Sequence, residues 1–205
     1  MKDLMKKYLN TFSVSGREGL LAEKIANDLR PFADSVDTDT MGNLIVLKKG
    51  KSSEKKLMLA AHMDEIGFVV TYIEESGFLR VSNIGGINAA AAAYHKVVFE
   101  NGTLGVLVVE SGTAFGDVAV KKMYVDIGAK NKKEAERKVK IGDCLSVAPE
   151  LIKLGSNRYA AKAFDDRLAC ALLAEVARTC EKPAYDTYFV FTVQEGVGCR
   201  GPKPA

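Results

Sequence analysis

The spacing of apolar residues predicts a helix near the start of the chain. Apolar side chains recur every fourth position there, at Leu21, Ile25 and Leu29, and so share one helical face. Ser15 and Glu18 have the spacing of a capping box at the start of this helix, and Pro31 marks its end. We therefore expect an amphipathic helix between Glu18 and Pro31.

Shorter apolar runs predict strands after this helix. Residues 35–39 and 44–48 flank the turn Met41-Gly42-Asn43, which indicates a hairpin. Residues 57–61 are continuously apolar, a pattern typical of a strand that is buried on both faces. His62 and Asp64 follow directly at the end of that run.

The pattern then changes to short β-like runs with glycine-rich turns, at residues 68–73, 97–99, 104–109 and 123–127. Asn131 and Glu134 mark a short helix within this region. Longer elements return with an amphipathic helix over residues 166–180 and a buried strand over residues 187–193. We predict an α/β domain made of residues 1–67 and 160–205, interrupted by a small β-rich domain of residues 68–159.

Composition changes this picture little. Charged residues make up 27% of the chain with a net charge of +3, so we expect neither a nucleic-acid nor a membrane partner. The N-terminal segment lacks the pattern of a secretory signal, which predicts a cytoplasmic location. The four cysteines are widely scattered, and we interpret them as reduced thiols.

Imidazole and carboxylate groups follow the predicted strands of the α/β domain. His62 and Asp64 follow one strand, Glu195 follows another, and Asp165 precedes a helix. Ligands of open α/β sheets bind beyond the carboxyl ends of strands, so these side chains are candidates for one site. Taken singly, His62 is more simply a hydrogen-bonded histidine and Asp165 a helix cap. Taken together, the four residues provide the imidazole, bridging carboxylate and general base that a hydrolytic metal centre needs.

Three short segments carry a family resemblance that spans nearly the whole chain. They are His62-Met63-Asp64-Glu65-Ile66-Gly67, Lys162-Ala163-Phe164-Asp165-Asp166-Arg167, and residues 194–201, which read QEGVGCRG. Together with residues 83–88, they resemble the glutamyl aminopeptidase family of self-compartmentalising tetrahedral aminopeptidases. Some relatives of this family are labelled endoglucanases or cellulases.

The resemblance implies a zinc-peptidase-like α/β catalytic domain with an inserted dimerisation domain. It implies a metallopeptidase with two divalent ions per subunit, zinc or cobalt, that removes N-terminal residues from short peptides. His62 matches a metal ligand and Asp165 the bridging aspartate. Asp64 matches the carboxylate that orients the histidine, and Glu195 matches the general base. Self-association into a dimer or a dodecamer is also implied.

The sequence departs from the family pattern after the general base. The family has a second glutamate there, which binds metal, whereas this chain has Gly196. The family also uses an aspartate and a histidine from beyond residue 205, so we interpret the chain as truncated. Lys162, Asp166, Arg167 and His95 are more simply exposed residues. Two alternatives stay open, namely a glycoside hydrolase and a non-catalytic remnant, and the preferred N-terminal residue is left open.

Overall fold

The computed structural model describes residues 1–203 and has a mixed α/β fold, as predicted. The elements follow in the order α1 (Lys2–Leu9), α2 (Gly19–Leu29), β1 (Ser35–Thr38), β2 (Leu44–Lys48), β3 (Ser52–His62), β4 (Gly67–Ile73), β5 (Leu79–Ile84), α3 (Ala89–Ala92), β6 (Lys96–Phe99), β7 (Leu104–Val109), β8 (Met123–Asp126), α4 (Lys132–Glu136), β9 (Cys144–Val147), β10 (Ile152–Leu154), β11 (Arg158–Ala160), α5 (Phe164–Thr179) and β12 (Tyr185–Thr192). Among the described residues, no helix has the length and apolar character needed to cross a bilayer.

The chain divides into two compact units. The first comprises Met1–Glu65 and Pro149–Ala205, and the second comprises Ile66–Ala148. The second boundary therefore lies before the β10–β11 hairpin, whereas the sequence placed that hairpin in the inserted domain. The physical reason is strand pairing, because β10 and β11 pair with each other while β9 completes the sheet of the second unit.

The first unit is built on a four-stranded sheet with the order β1-β2-β12-β3. β12 runs antiparallel to β2 and parallel to β3. Helices α1, α2 and α5 contribute to one apolar core with the sheet, whose fully buried members include Tyr8, Leu21, Ile25, Phe189 and Phe191. The predicted α2, the β1–β2 hairpin, α5 and the buried strand β12 are confirmed.

Two features of the first unit differ from expectation. The prediction that residues 57–61 are buried on both faces is wrong, because Leu57 is 48% and Met58 57% exposed. β3 lies at the edge of the described sheet and pairs with β12 alone, which leaves its other side without a neighbouring strand. Helix α1 was not predicted, although its buried residues lie on one helical face, at Leu4, Met5, Tyr8 and Leu9.

The second unit is a closed barrel with the strand order β4-β5-β8-β7-β6-β9. Its core is aliphatic and aromatic and includes Phe68, Phe99 and Leu107. Asn131 caps helix α4 by accepting a hydrogen bond from the backbone N–H of Glu134 at 3.0 Å, so the predicted short helix is confirmed. β5 was not predicted.

Candidate metal centre

The candidate residues lie where two parallel strands end. β3 ends at His62 and β12 at Thr192, and these two residues are register partners. Parallel pairing brings both carboxyl ends to one edge of the sheet, where ligands of such sheets bind. The loops that follow carry Asp64 and Glu195, which are therefore brought side by side.

The imidazole of His62 lies between two aspartates. Its Nε2 is 3.0 Å from Oδ1 of Asp165. Its Nδ1 is 3.2 Å from the backbone oxygen of Asp64 and 3.4 Å from Oδ1 of the same residue. The Asp165 side chain is 94% exposed, whereas that of Asp64 is 1% exposed. The structure thus brings three of the four candidate residues into direct contact.

The two aspartates change the protonation of His62. Burial disfavours the charged imidazole, but hydrogen bonds with Asp64 and Asp165 outweigh it and raise the pKa of His62 to about 9. Without a metal, the ring is therefore protonated at neutral pH and donates from both nitrogens. A metal ion that binds Nε2 must displace that proton.

Asp64 connects the loop after β3 to the loop after β12. Its carboxylate accepts hydrogen bonds from Ser15 Oγ at 2.5 Å, from the backbone N–H of Glu195 at 3.0 Å and from that of Gly196 at 2.9 Å. Burial raises the pKa of Asp64, but the hydrogen bonds from His62, Ser15 and the two backbone groups prevail and lower it to about 2. Asp64 is therefore a charged, fully buried anchor of the Glu195 loop.

Two further side chains hold the start of this loop. Gln194 has a left-handed backbone conformation with φ of 53°, and its N–H donates to the Glu18 carboxylate at 2.9 Å. The buried Asn43 side chain accepts from the N–H of Val193 at 3.0 Å and donates to the carbonyl of Gly201 at 2.8 Å. Asn43 and Glu18 thereby hold the start of the Glu195 loop, and Asn43 also holds its end at Gly201.

The sequence analysis missed the roles of Ser15, Glu18 and Asn43. The predicted capping box is wrong, because the Ser15 hydroxyl donates to Asp64 and no side chain caps α2. Glu18 stands at the N-cap position of α2 and turns its carboxylate to Gln194 instead. The spacing of Ser15 and Glu18 correctly indicates where α2 begins. It does not reveal that these side chains bind Asp64 and Gln194, which are distant in sequence.

The expectation that Lys162 and Arg167 are exposed is also wrong. The side chain of Arg167 is 0% exposed and that of Lys162 14% exposed, and both form ion pairs with the buried Glu65. Asp166 is partly buried, and burial raises its pKa. His95 is exposed, as expected, and directly precedes β6.

Comparison with known proteins identifies the family. A family model described as M42 glutamyl aminopeptidase matches residues 42–205, a range that contains all four candidate residues. The chain belongs to this family. A curated protein of Acetivibrio thermocellus, named provisionally as an aminopeptidase, is 41% identical over 206 residues. The lysyl aminopeptidase of Pyrococcus furiosus is 35% identical over 215 residues.

The M42 chain is shorter than these relatives. The matches include 100% and 99% of this chain but only 62% of each relative. The chain therefore spans less than two thirds of the curated proteins that it matches.

Solved structures confirm the α/β fold. An aminopeptidase from Desulfurococcus kamchatkensis superposes with a TM-score of 0.92 at 35% identity, over 97% of this chain and 57% of that one. A Thermotoga maritima protein described as an endoglucanase gives 0.85 at 37% identity, over 93% and 58%. The Pyrococcus horikoshii TET1 peptidase, described as assembling into a tetrahedron or a large octahedral shell, gives 0.87 at 31% identity, over 98% and 63%.

The described part of the M42 chain supplies few metal donors. Residues 1–203 contain no group of three or more His, Cys, Asp or Glu side chains arranged to hold a metal ion. The imidazole of His62 and the carboxylate of Asp165 are donor types that zinc accepts, but a zinc ion binds about four groups. The pair therefore fits one side of a metal centre and leaves the remaining positions unfilled.

Gly196 stands where the family resemblance implies a further ligand. A Cβ atom built on Gly196 would lie 3.1 Å from Ser15 Oγ and 3.4 Å from Asp64 Oδ2. The first distance is tight, and Ser15 Oγ also donates to the buried Asp64 carboxylate, so a side chain here would require Ser15 to shift by a few tenths of an ångström. Gly196 does not have a left-handed backbone conformation, so a larger side chain fits at this position once Ser15 Oγ shifts.

Proposed function

We propose that the M42 chain carries part of the active site of a metal-dependent aminopeptidase. The contact between His62 Nε2 and Asp165 Oδ1 at 3.0 Å, with Asp64 behind the other ring nitrogen, carries this proposal. A carboxylate behind a metal-binding histidine fixes the ring orientation and makes the ligand more basic. The aminopeptidase names of the relatives support the reaction class.

Each candidate residue has a separate task in this proposal. His62 and Asp165 hold a divalent ion, zinc or cobalt, and the family resemblance favours two ions per subunit. When bound, the metal supplies Lewis-acid activation of the peptide carbonyl. Glu195 takes the proton from the attacking water and passes it to the leaving amine. Asp64 orients His62 and fixes the backbone of Glu195.

A non-catalytic role is the second candidate, and two observations favour it. Gly196 has no side-chain donor atom, and the described residues supply only two converging ligands. The glycoside hydrolase alternative is not favoured. The curated relatives are named aminopeptidases, the chain has no tryptophan for sugar stacking, and paired-carboxylate chemistry leaves His62 without a task.

Turnover by the purified chain separates the two candidates. We would measure hydrolysis of acidic, basic and apolar aminoacyl-p-nitroanilides with cobalt, with zinc and with a chelator. The aminopeptidase proposal requires metal-dependent release that Glu195→Gln abolishes without loss of cobalt binding. Glu181→Gln, a matched change at an exposed glutamate, should leave the rate unchanged. No bound metal and no release with any substrate would reject the aminopeptidase proposal for this chain.

We also propose that the second unit mediates self-association into a dimer and possibly a dodecamer. The assembling TET1 neighbour and the sequence resemblance support this assignment. Short peptides are the substrates that fit such an enclosed assembly. Light scattering of the purified chain tests the assignment, and a monomeric mass at all concentrations would contradict it. The cytoplasmic location stays a prediction.

A further inference from the structure

A buried ionic cluster lies in the loops next to the candidate metal centre. The Glu65 carboxylate is 4% exposed and accepts from Lys162 Nζ at 2.6 Å through Oε2. Its Oε1 is 3.2 Å from Nη2 of Arg167. Glu65 therefore joins two cations, one through each carboxylate oxygen.

The cluster surrounds the turn that carries Asp165. Lys162 precedes Asp165 in the chain and Arg167 follows it, whereas Glu65 directly follows Asp64. The three ionic side chains thus connect both flanks of the Asp165 turn to the loop that leaves β3. The two halves of the candidate centre, far apart in sequence, are joined at this point.

Arg167 extends the connection to the N-terminal part of the chain. Its guanidinium donates to the carbonyls of Met63 at 3.0 Å, Tyr8 at 2.8 Å and Thr11 at 2.6 Å. With the Ser13 carbonyl at 3.4 Å and the Glu65 carboxylate, five acceptor groups therefore meet one fully buried guanidinium. A lysine has no planar fork of donors and would not reproduce this arrangement.

Asp165 is highly exposed, so the ion pairs that hold the backbone on either side of it affect where its carboxylate lies. Its side chain is 94% exposed and reaches His62 across a single 3.0 Å contact. Packing around the carboxylate cannot fix its place, because almost none of its surface is covered. The Asp165 carboxylate can therefore reach His62 only while the backbone of Asp165 stays in its place.

We propose that Glu65 is a positioning residue, whose ion pairs with Lys162 and Arg167 keep Asp165 in contact with His62. The metal-binding consequence rests on the proposed function, whereas the positioning itself does not. Loss of one partner should separate Asp165 from His62 while the sheet and the core remain. Cobalt affinity should then fall by about 10- to 100-fold, as for changes to groups that orient metal ligands.

Imidazole NMR of the metal-free chain tests the positioning directly. The chain has only two histidines, His62 and His95, so the ring signals are readily assigned and His95 serves as the internal reference. Lys162→Met should shift the Nε2 signal of His62 away from that of the hydrogen-bonded ring nitrogen, and Lys162→Arg should restore it. Glu65→Gln should also shift this signal. Lys132→Met, which breaks the exposed pair with Glu75, is the matched control and should change neither ring.

The outcomes separate the two proposals. Unchanged His62 signals in folded Lys162→Met and Glu65→Gln would overturn the positioning role. If Glu65→Gln fails to fold, the comparison of Lys162→Met with Lys162→Arg still tests the positioning role. Glu65 keeps its Arg167 partner in both of these variants. Absence of cobalt binding by the unmodified chain would reject the metal site and leave the NMR result on positioning intact.

Discussion

Replacement of Asp64 by asparagine tests the role of the buried carboxylate. The asparagine side chain keeps the shape but replaces one acceptor oxygen by an NH₂ group, which then faces the backbone N–H of Glu195 or of Gly196. A buried N–H without an acceptor costs about 1–3 kcal/mol. The fall in the pKa of Asp64 from 3.8 to about 2 corresponds to about 2 kcal/mol of further stabilisation at neutral pH. We expect Asp64→Asn to lower the free energy of unfolding by about 3 kcal/mol at pH 7.

The pH dependence identifies how much of the lost free energy of unfolding comes from the charge of Asp64. Folding lowers the pKa of Asp64, so the stabilisation from its charge is complete well above pH 3.8. This stabilisation is lost as the pH falls toward 2, with about half of it remaining at pH 3. Urea denaturation followed by circular dichroism should therefore show a smaller difference between variant and unmodified chain at pH 3 than at pH 7. Asp37→Asn, at an exposed strand position, is the control. An equal difference at both pH values would show that the charge of Asp64 does not contribute to stability.

Three other predictions concern the same loops. Gly196→Glu should raise cobalt affinity by about tenfold or more in calorimetric titration, because the new carboxylate adds a metal donor once Ser15 Oγ shifts; unchanged affinity would contradict this. Cobalt affinity should increase about tenfold per pH unit up to pH 9, because the ion displaces one proton from His62; titrations between pH 6.5 and 8.5 with a flat profile would oppose it. Asn43→Ala should lower the free energy of unfolding by about 2–3 kcal/mol in urea, because the N–H of Val193 loses its acceptor; a loss below about 0.5 kcal/mol would count against this anchor.

Elements with a local periodic signal were predictable from the sequence. The β1–β2 hairpin, α2 and α5 follow from apolar spacing and turn residues, which depend on neighbours in the chain. The order of short motifs at strand ends also indicated which residues would meet. Parallel pairing of β3 and β12 then brings the motifs together.

Features that depend on distant partners were not predictable. The apolar run at residues 57–61 indicates a strand, but its exposure depends on which strand pairs with its far side. Arg167 has no local sign of burial, because its acceptors include carbonyls near the end of α1. Ser15 fits a helix cap equally well until the position of Asp64 is known.

Cobalt binding by paired variants shows whether His62 and Asp165 share one metal ion. The visible absorption of cobalt would be titrated in the unmodified chain, in His62→Gln and in Asp165→Asn, with His95→Gln and Asp37→Asn as matched controls. We expect both site variants to lose the cobalt spectrum and both controls to retain it. A cobalt spectrum of unchanged intensity and affinity in His62→Gln or Asp165→Asn would contradict the claim.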